Sequence, residues 1–271
     1  MTTSRTTTAA VASHQNSLGY AVRDVLTLAR RNLLALFRIP TAVVFAMIQP
    51  VMFVLLFRYV FGGALGSAVP GGIYVNYLVP GILVQTTIFG AIGTAIGLAE
   101  DLQRGLIERF KALPMARMAV LGGRTLADSA RNVVVLLIIT GVGFLVGFRP
   151  HGGITHYIEA CLVMLIFAYC LSWGFAFIGL AAPNSETAQA MTFPLIFPLT
   201  FASTIFIPLD KLPTWLQGFA NNQPVSEATD AVRGLMSGTP VGNTVWVSLA
   251  WSIGLIAVLA PLAVNQFRKV A

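Results

Sequence analysis

Between residues 100 and 131 the chain gathers six of its 17 Lys and Arg: Arg104, Arg109, Lys111, Arg117, Arg124 and Arg131. Four of its 10 Asp and Glu lie there too: Glu100, Asp101, Glu108 and Asp128. Charges of both signs surround Leu102, Leu106, Phe110 and Leu113, which are spaced 4, 4 and 3 apart on one helical face. Such a segment suits recognition rather than bond-making. Gly105 can break the helix and Pro114 stops it, leaving a short amphipathic piece for a partner's groove. The competing reading is a solvated connection whose basic residues only fix orientation in a membrane.

Catalytic chemistry is poorly represented. A phosphate-binding P-loop needs Gly-Lys followed by Ser or Thr. The three lysines, Lys111, Lys211 and Lys269, follow Phe110, Asp210 and Arg268, so the chain has no such loop and is not expected to be an enzyme. No serine has glycine two residues before it, which removes a Gly-x-Ser nucleophile. His14, His151 and His156 fall outside the apolar runs, and no acid or Cys stands at a metal-binding spacing from them. Neither a metal nor a cofactor is expected. No Asp is expected inside an apolar run, and Glu159 and Arg58 lie near run ends, so ion-coupled transport has no evident carrier group.

Those residues must be held by helices in lipid. Of 271 residues 56% are hydrophobic, 10% are charged, and the mean hydropathy is +0.79. Six runs approach the roughly 20 residues that cross a bilayer: 41–61, 77–98, 132–148, 157–181, 188–207 and 244–264. The expectation is an all-α polytopic membrane protein with six spans. Residues 1–16, rich in Ser, Thr and Ala and without an apolar core, read as a disordered tail rather than a cleavable signal. Residues 17–39 place Leu18, Val22, Val25, Ala29, Leu33 and Leu36 on one face, with Arg23, Arg30 and Arg31 largely off it. That pattern predicts an amphipathic helix in the cytoplasmic interface. Residues 40–271 then form the six-span unit. Before the last span, segments around Trp215, Leu216 and Phe219, and around Val225, Ala228, Val232 and Leu235, predict an amphipathic helical hairpin at or dipping into the outer interface.

Five Arg in the N-terminal arm, six basic residues in the island and two in the tail fall on one side of a six-span layout. Four (Arg58, Arg149, Lys211 and Arg233) fall on the other. Both termini and the island are therefore expected in the cytoplasm. This bias accounts for the net charge of +7 without nucleic acid, for which no soluble basic domain exists. Cys161 and Cys170 are about 13 Å apart along a helix, too far for a disulfide. Gly93 and Gly97 form a G-x-x-x-G pair that permits close helix approach. A substrate path is sought among uncharged polar residues of the spans: Gln49, Gln85, Thr86, Thr87, Tyr169 and Ser172. Each also suits an interhelical hydrogen bond.

The stretch from Leu102 to Met115, with Arg117 and then Gly123-Arg124-Thr-Leu-Ala-Asp128, resembles the type 2 ABC exporter permeases, in their daunorubicin/doxorubicin-resistance branch. Pro208-Leu-Asp-Lys-Leu-Pro-Thr-Trp-Leu216 with Asn222-Gln-Pro224 resembles that family's outer hairpin. Gln103 stands where many relatives carry an acid, so acidity there must come from Asp101 or Glu108. The resemblance implies a multi-pass permease of a bacterial plasma membrane. It implies a separate cytoplasmic ATPase, two copies per complex, which binds ATP and Mg2+. A second permease chain, identical or homologous, is implied as well. Gly105, Glu108, Arg109, Phe110, Pro114 and Met115 would belong to the segment that docks on the ATPase, and the 17–39 helix would touch it. A weakly charged, aromatic-rich interior suits a hydrophobic or amphipathic cargo, a drug, an antibiotic or a lipid. Two other classes stay open: an ATPase-independent secondary transporter, and a membrane scaffold or immunity protein that binds a partner without moving a substrate.

Overall fold

The computed structural model describes residue 27 and residues 40–66, 69, 73–106 and 117–270. Every regular element among them is a helix. We number the helices α1 (Pro40–Leu56), α2 (Tyr74–Gln103), α3 (Arg117–Leu145), α4 (Gly153–Ala181), α5 (Ser185–Phe201), α6 (Thr214–Asn222), α7 (Pro224–Ser237) and α8 (Thr244–Val270). A π-helical turn, Phe57–Phe61, and a short turn, Gly62–Leu65, prolong α1. The expectations placed on residues 1–16, on 17–39 apart from residue 27, and on 107–116 lie outside the described residues.

Length and composition make α2, α3 from Leu121, α4 and α8 long and apolar enough to cross a membrane. The shorter α1 and α5 have 17 residues each, about 25 Å of helical rise. α4 is apolar all round, as a helix surrounded by others should be. It packs against α2, α3, α5, α7 and α8, and with α2 forms the centre of the bundle. α8 turns Trp246, Trp251, Ile253, Val258 and Leu262 outward, an apolar face consistent with lipid. Cys161 and Cys170 are both free and lie on α4.

Two ends of the bundle can be told apart. At one, Leu98 of α2, Leu121 of α3, Leu180 of α4 and Phe267 of α8 share an apolar cluster. This is the island end, where residues 107–116 connect α2 to α3. At the other, the Arg149 backbone N–H donates to Asn76 Oδ1 (3.0 Å), and those of His151 and Gly152 donate to the Met236 carbonyl. This hairpin end joins the start of α2, the α3–α4 loop and α7. Pro183-Asn184-Ser185 does form the expected turn, with Asn184 Oδ1 capping α5 by accepting from the Thr187 N–H at 2.7 Å.

The third apolar run was expected to begin at residue 132, with residues up to 131 in a soluble handle. Instead α3 begins at Arg117, and half of the island belongs to one continuous helix. Asp128 is buried within it, which corrects the expectation that no Asp lies inside a spanning helix. The helix can continue because its charged residues find partners on α2. In the hairpin, α6 leaves Trp215 79% exposed, whereas Val225, Ala228, Val232 and Leu235 of α7 are buried against the bundle.

Candidate coupling site and its links through the bundle

Gly90, Gly93 and Gly97 of α2 are spaced three and four apart, so they open a notch along one face. Without side chains, their carbonyls can be approached from the side. Two arginines of α3, two turns apart, fill the notch. Arg124 Nη2 donates to the Gly93 carbonyl at 3.0 Å, and Nη1 lies 3.4 Å from Asp101 Oδ2. Arg131 Nη2 donates to the Gly90 carbonyl at 2.6 Å, and Nη1 lies 3.4 Å from Asp128 Oδ1. Thr94 Oγ1 donates to Asp128 Oδ2 at 2.6 Å.

Gly93 and Gly97 leave the space that the two guanidinium groups occupy. A Cβ on Gly97 would overlap the Arg124 guanidinium, and one on Gly93 would sit 2.8 Å from Arg131 Nη1. The G-x-x-x-G pair thus admits arginine side chains rather than a bare helix backbone. Two Arg and two Asp make the cluster formally neutral, and every one of these charges has a named opposite partner. Charge-assisted bonds of this kind are the stronger ones, and desolvated charges persist only when paired. A paired cluster clamps; it does not present a free carboxylate to a travelling ion.

The clamp sits just inside the residues that lead to the predicted docking segment. α2 ends at Gln103, and Gly105 follows with φ +64°, a left-handed conformation that glycine adopts without steric cost. The expected break at Gly105 is therefore present. Outward from it, Arg104 pairs with Glu100 at 3.2 Å on an exposed surface, a contact that contributes little. Glu108, Arg109, Phe110, Pro114 and Met115, like Arg23, Arg30 and Arg31, lie outside the described residues. The clamp itself was missed in the sequence. Its only signal was the matching of two patterns, Gly90/Gly93/Gly97 and Arg124/Asp128/Arg131, each at helical spacing.

The residues proposed for a substrate path lie on α1, α2 and α4. Gln49 is exposed on α1, while Gln85 is 3% exposed within the bundle. Thr86, Thr87 and Ser172 donate to the carbonyls of Ile82, Leu83 and Ala168, one turn back on their own helices, rather than across helices. Tyr169 meets Trp173 edge-on at 6.1 Å. An apolar aromatic surface is assembled as well. Phe61, Phe57 and Phe53 of the first helical segment join Phe206, and Phe206 joins Phe201, Phe197 and Phe193 of α5, each ring 4.6–6.2 Å from the next. Phe61, Phe193, Phe197 and Phe201 are exposed.

Comparison with known proteins shows the family of the chain. Residues 23–237 match the family described as ABC-2 type transporter. The chain is 34% identical over 249 residues to the daunorubicin resistance ABC transporter permease protein DrrB1 of Streptomyces coeruleorubidus, covering 92% of this chain and 87% of that one. It is 29% identical over 255 residues to a probable doxorubicin resistance ABC transporter permease protein, DrrC, of Mycobacterium tuberculosis, covering 94% and 92%. A putative transport permease, ycf38, of Cyanophora paradoxa is 25% identical over 229 residues, covering 80% and 76%.

Proposed function

The chain belongs to the ABC-2 type transporter family, and on that footing we propose that it is the permease subunit of an ATP-driven exporter. A separate cytoplasmic ATPase, in two copies, binds ATP and Mg2+. Two permease chains, identical or homologous, complete the complex in a bacterial plasma membrane. α1 and α5 complete six spans, and both termini and the island end face the cytoplasm. Residues 17–39 lie along the inner interface, and Gly105, Glu108, Arg109, Phe110, Pro114 and Met115 dock on the ATPase.

The observation that supports this reading most is the clamp. A segment that only linked two spans would not need its stems tied together by two arginines seated in a glycine notch. A segment that is pushed does need this. Closure of the ATPase dimer would displace residues 107–116, and the clamp makes α2 and α3 follow as one body. ATP then acts as a ligand that binds one of two conformations more tightly.

For the cargo we favour a hydrophobic or amphipathic compound with aromatic character. The phenylalanine ladder offers flat apolar surface along α1 and α5, and rings of this kind stack on other rings. Two relatives carry daunorubicin and doxorubicin resistance in their names.

The test is purification in mild detergent from the native host, followed by reconstitution. A P-loop ATPase should co-purify, and ATP should drive cargo across proteoliposome membranes. Glu108→Arg should abolish that transport while leaving membrane insertion unchanged. Full transport by this variant would remove the docking role. A chain that emerges alone under conditions that preserve other ABC complexes would instead favour an ATPase-independent transporter.

A further inference from the structure

At the hairpin end, one side chain holds three separate segments together. Arg233 of α7 is only 12% exposed in its side chain. Its Nε donates to the Tyr77 carbonyl of α2 at 3.1 Å. Its Nη2 donates to the Thr204 and Ile205 carbonyls, at 2.8 and 3.2 Å, in the loop after α5. Nη1 pairs with Asp230 Oδ1 at 2.7 Å, and the guanidinium carbon lies 3.6 Å from the centre of the Tyr77 ring. The same loop is held twice more: Tyr77 and Tyr74 donate their hydroxyls to the Thr204 and Phe206 carbonyls, at 2.9 and 3.2 Å. Gly81 of α2 lets the Ile205 carbonyl approach so closely that a Cβ there would overlap it.

This is an unusual use of an arginine. Three carbonyls, a carboxylate and an aromatic face satisfy nearly all its donors, and two of the carbonyls, those of Thr204 and Ile205, lie outside any helix. Thr204 and Ile205 lie in the irregular stretch between α5 and the hairpin, where the backbone has few partners of its own. Thr204 Oγ1 also donates to Asp230 Oδ1 at 2.8 Å. Burial pushes the Asp230 carboxyl above its ordinary range, and Arg233 beside it draws it part-way back.

We propose that Arg233 is the positioning residue that latches the outward side shut, with the 204–205 carbonyls and the Tyr77 ring as its seat, and that cargo release requires this seat to be vacated. The proposal rests on the exporter reading above. It adds the place where opening occurs: the α5–α6 connection parts from α2 and α7. Arg233 carries out no chemistry and touches no cargo; it sets which conformation the resting complex occupies.

Ser203, buried beside the seat and bonded to the Thr200 carbonyl, gives a reporter. Ser203→Cys is made in a Cys161→Ser, Cys170→Ala background and purified with its ATPase into nanodiscs, which expose both faces. Labelling by a membrane-impermeant maleimide is timed without nucleotide and with ATP plus vanadate. The thiol should be silent without nucleotide and reactive in the trapped state. Arg233→Gln should make it reactive without nucleotide, faster by at least on the order of tenfold, since that is the size of even one lost hydrogen bond to a charged group. Arg233→Lys should fall between. If Arg233→Gln does not fold, Tyr77→Phe, which removes only the bond to the Thr204 carbonyl, should raise the nucleotide-free rate by a smaller factor. Transport by the wild-type complex with Ser203→Cys silent in every state would overturn the latch and leave the exporter standing. Absence of any ATP-driven transport would remove both.

Discussion

A side chain at Gly97 would displace the Arg124 guanidinium, which crosses the space where Cβ would stand. Gly97→Ala should therefore cost about 1–3 kcal/mol of stability, the usual penalty of overpacking, and should lower ATP-driven transport. Gly141 and Gly254, in α3 and α8, have nothing within 4 Å of a built Cβ. Alanine at either should be neutral or stabilising by up to about 1 kcal/mol. Thermal unfolding of the four proteins in one detergent checks the contrast, and equal losses at all three sites would mean the notch is not special. Both Asp128→Asn and Asp128→Leu leave Arg131 without its carboxylate, but Asp128→Asn should be the milder, since the amide oxygen can still accept a hydrogen bond from Thr94 or Arg131 and Leu can accept none. The glycine spacing was legible in the sequence, but its occupant was not. A pattern on one helix does not say which side chain of a neighbour will cross it. Arg124 and Arg131 therefore read as positive-inside charge, and their partnership with backbone carbonyls appears only once α2 and α3 lie side by side.

The helices with continuous apolar runs, α2, α4 and α8, were legible because nothing interrupts them. α3 was cut short in the sequence reading because charge was taken as a boundary, whereas partnered charge is compatible with a spanning-length helix. The hairpin was legible as two amphipathic helices, but the sinking of α7 into the bundle was not. Its apolar face of small and branched residues fits between α2, α4 and α8, whose spacing a single sequence does not contain. The aromatic ladder has the same origin. Phe193, Phe197 and Phe201 show a four-residue spacing, but the junction through Phe206 to Phe57 joins elements far apart in the chain. Its two kinds of rung should separate stability from function. Phe197 is exposed, so Phe197→Ala should leave unfolding nearly unchanged while raising KM for an aromatic cargo about fivefold, the worth of one ring contact. Phe206 is buried and stacks on both helices, so Phe206→Ala should cost about 3–5 kcal/mol. Transport kinetics in proteoliposomes beside unfolding curves read both quantities. An unchanged KM for Phe197→Ala would exclude this face from the path.

Across the whole molecule, α2 is the element that connects the two ends. It carries 30 residues, about 45 Å of helical rise. Over its second half it is clamped by Arg124 and Arg131, and in its first turn it is held by Arg233, Tyr74 and Tyr77. Between them it is buried in the centre of the bundle, which keeps it from bending independently of its neighbours. If α2 moves as a rod, a displacement of the island end reaches the hairpin end. This makes a prediction that no single site can make. Arg124→Gln and Arg233→Gln alter contacts on opposite ends of α2, roughly 25–30 Å apart by helical rise, with no shared partner. Their effects on stability should add to within about 0.5 kcal/mol, as for distant sites. Their effects on ATP-driven transport should not add. If both interrupt one transmitted motion, the double variant should transport no worse than the poorer single variant, while ATP hydrolysis continues. A double variant whose transport loss equals the product of the two single losses would mean that the ends act separately, and that force reaches the outer side by a route other than α2.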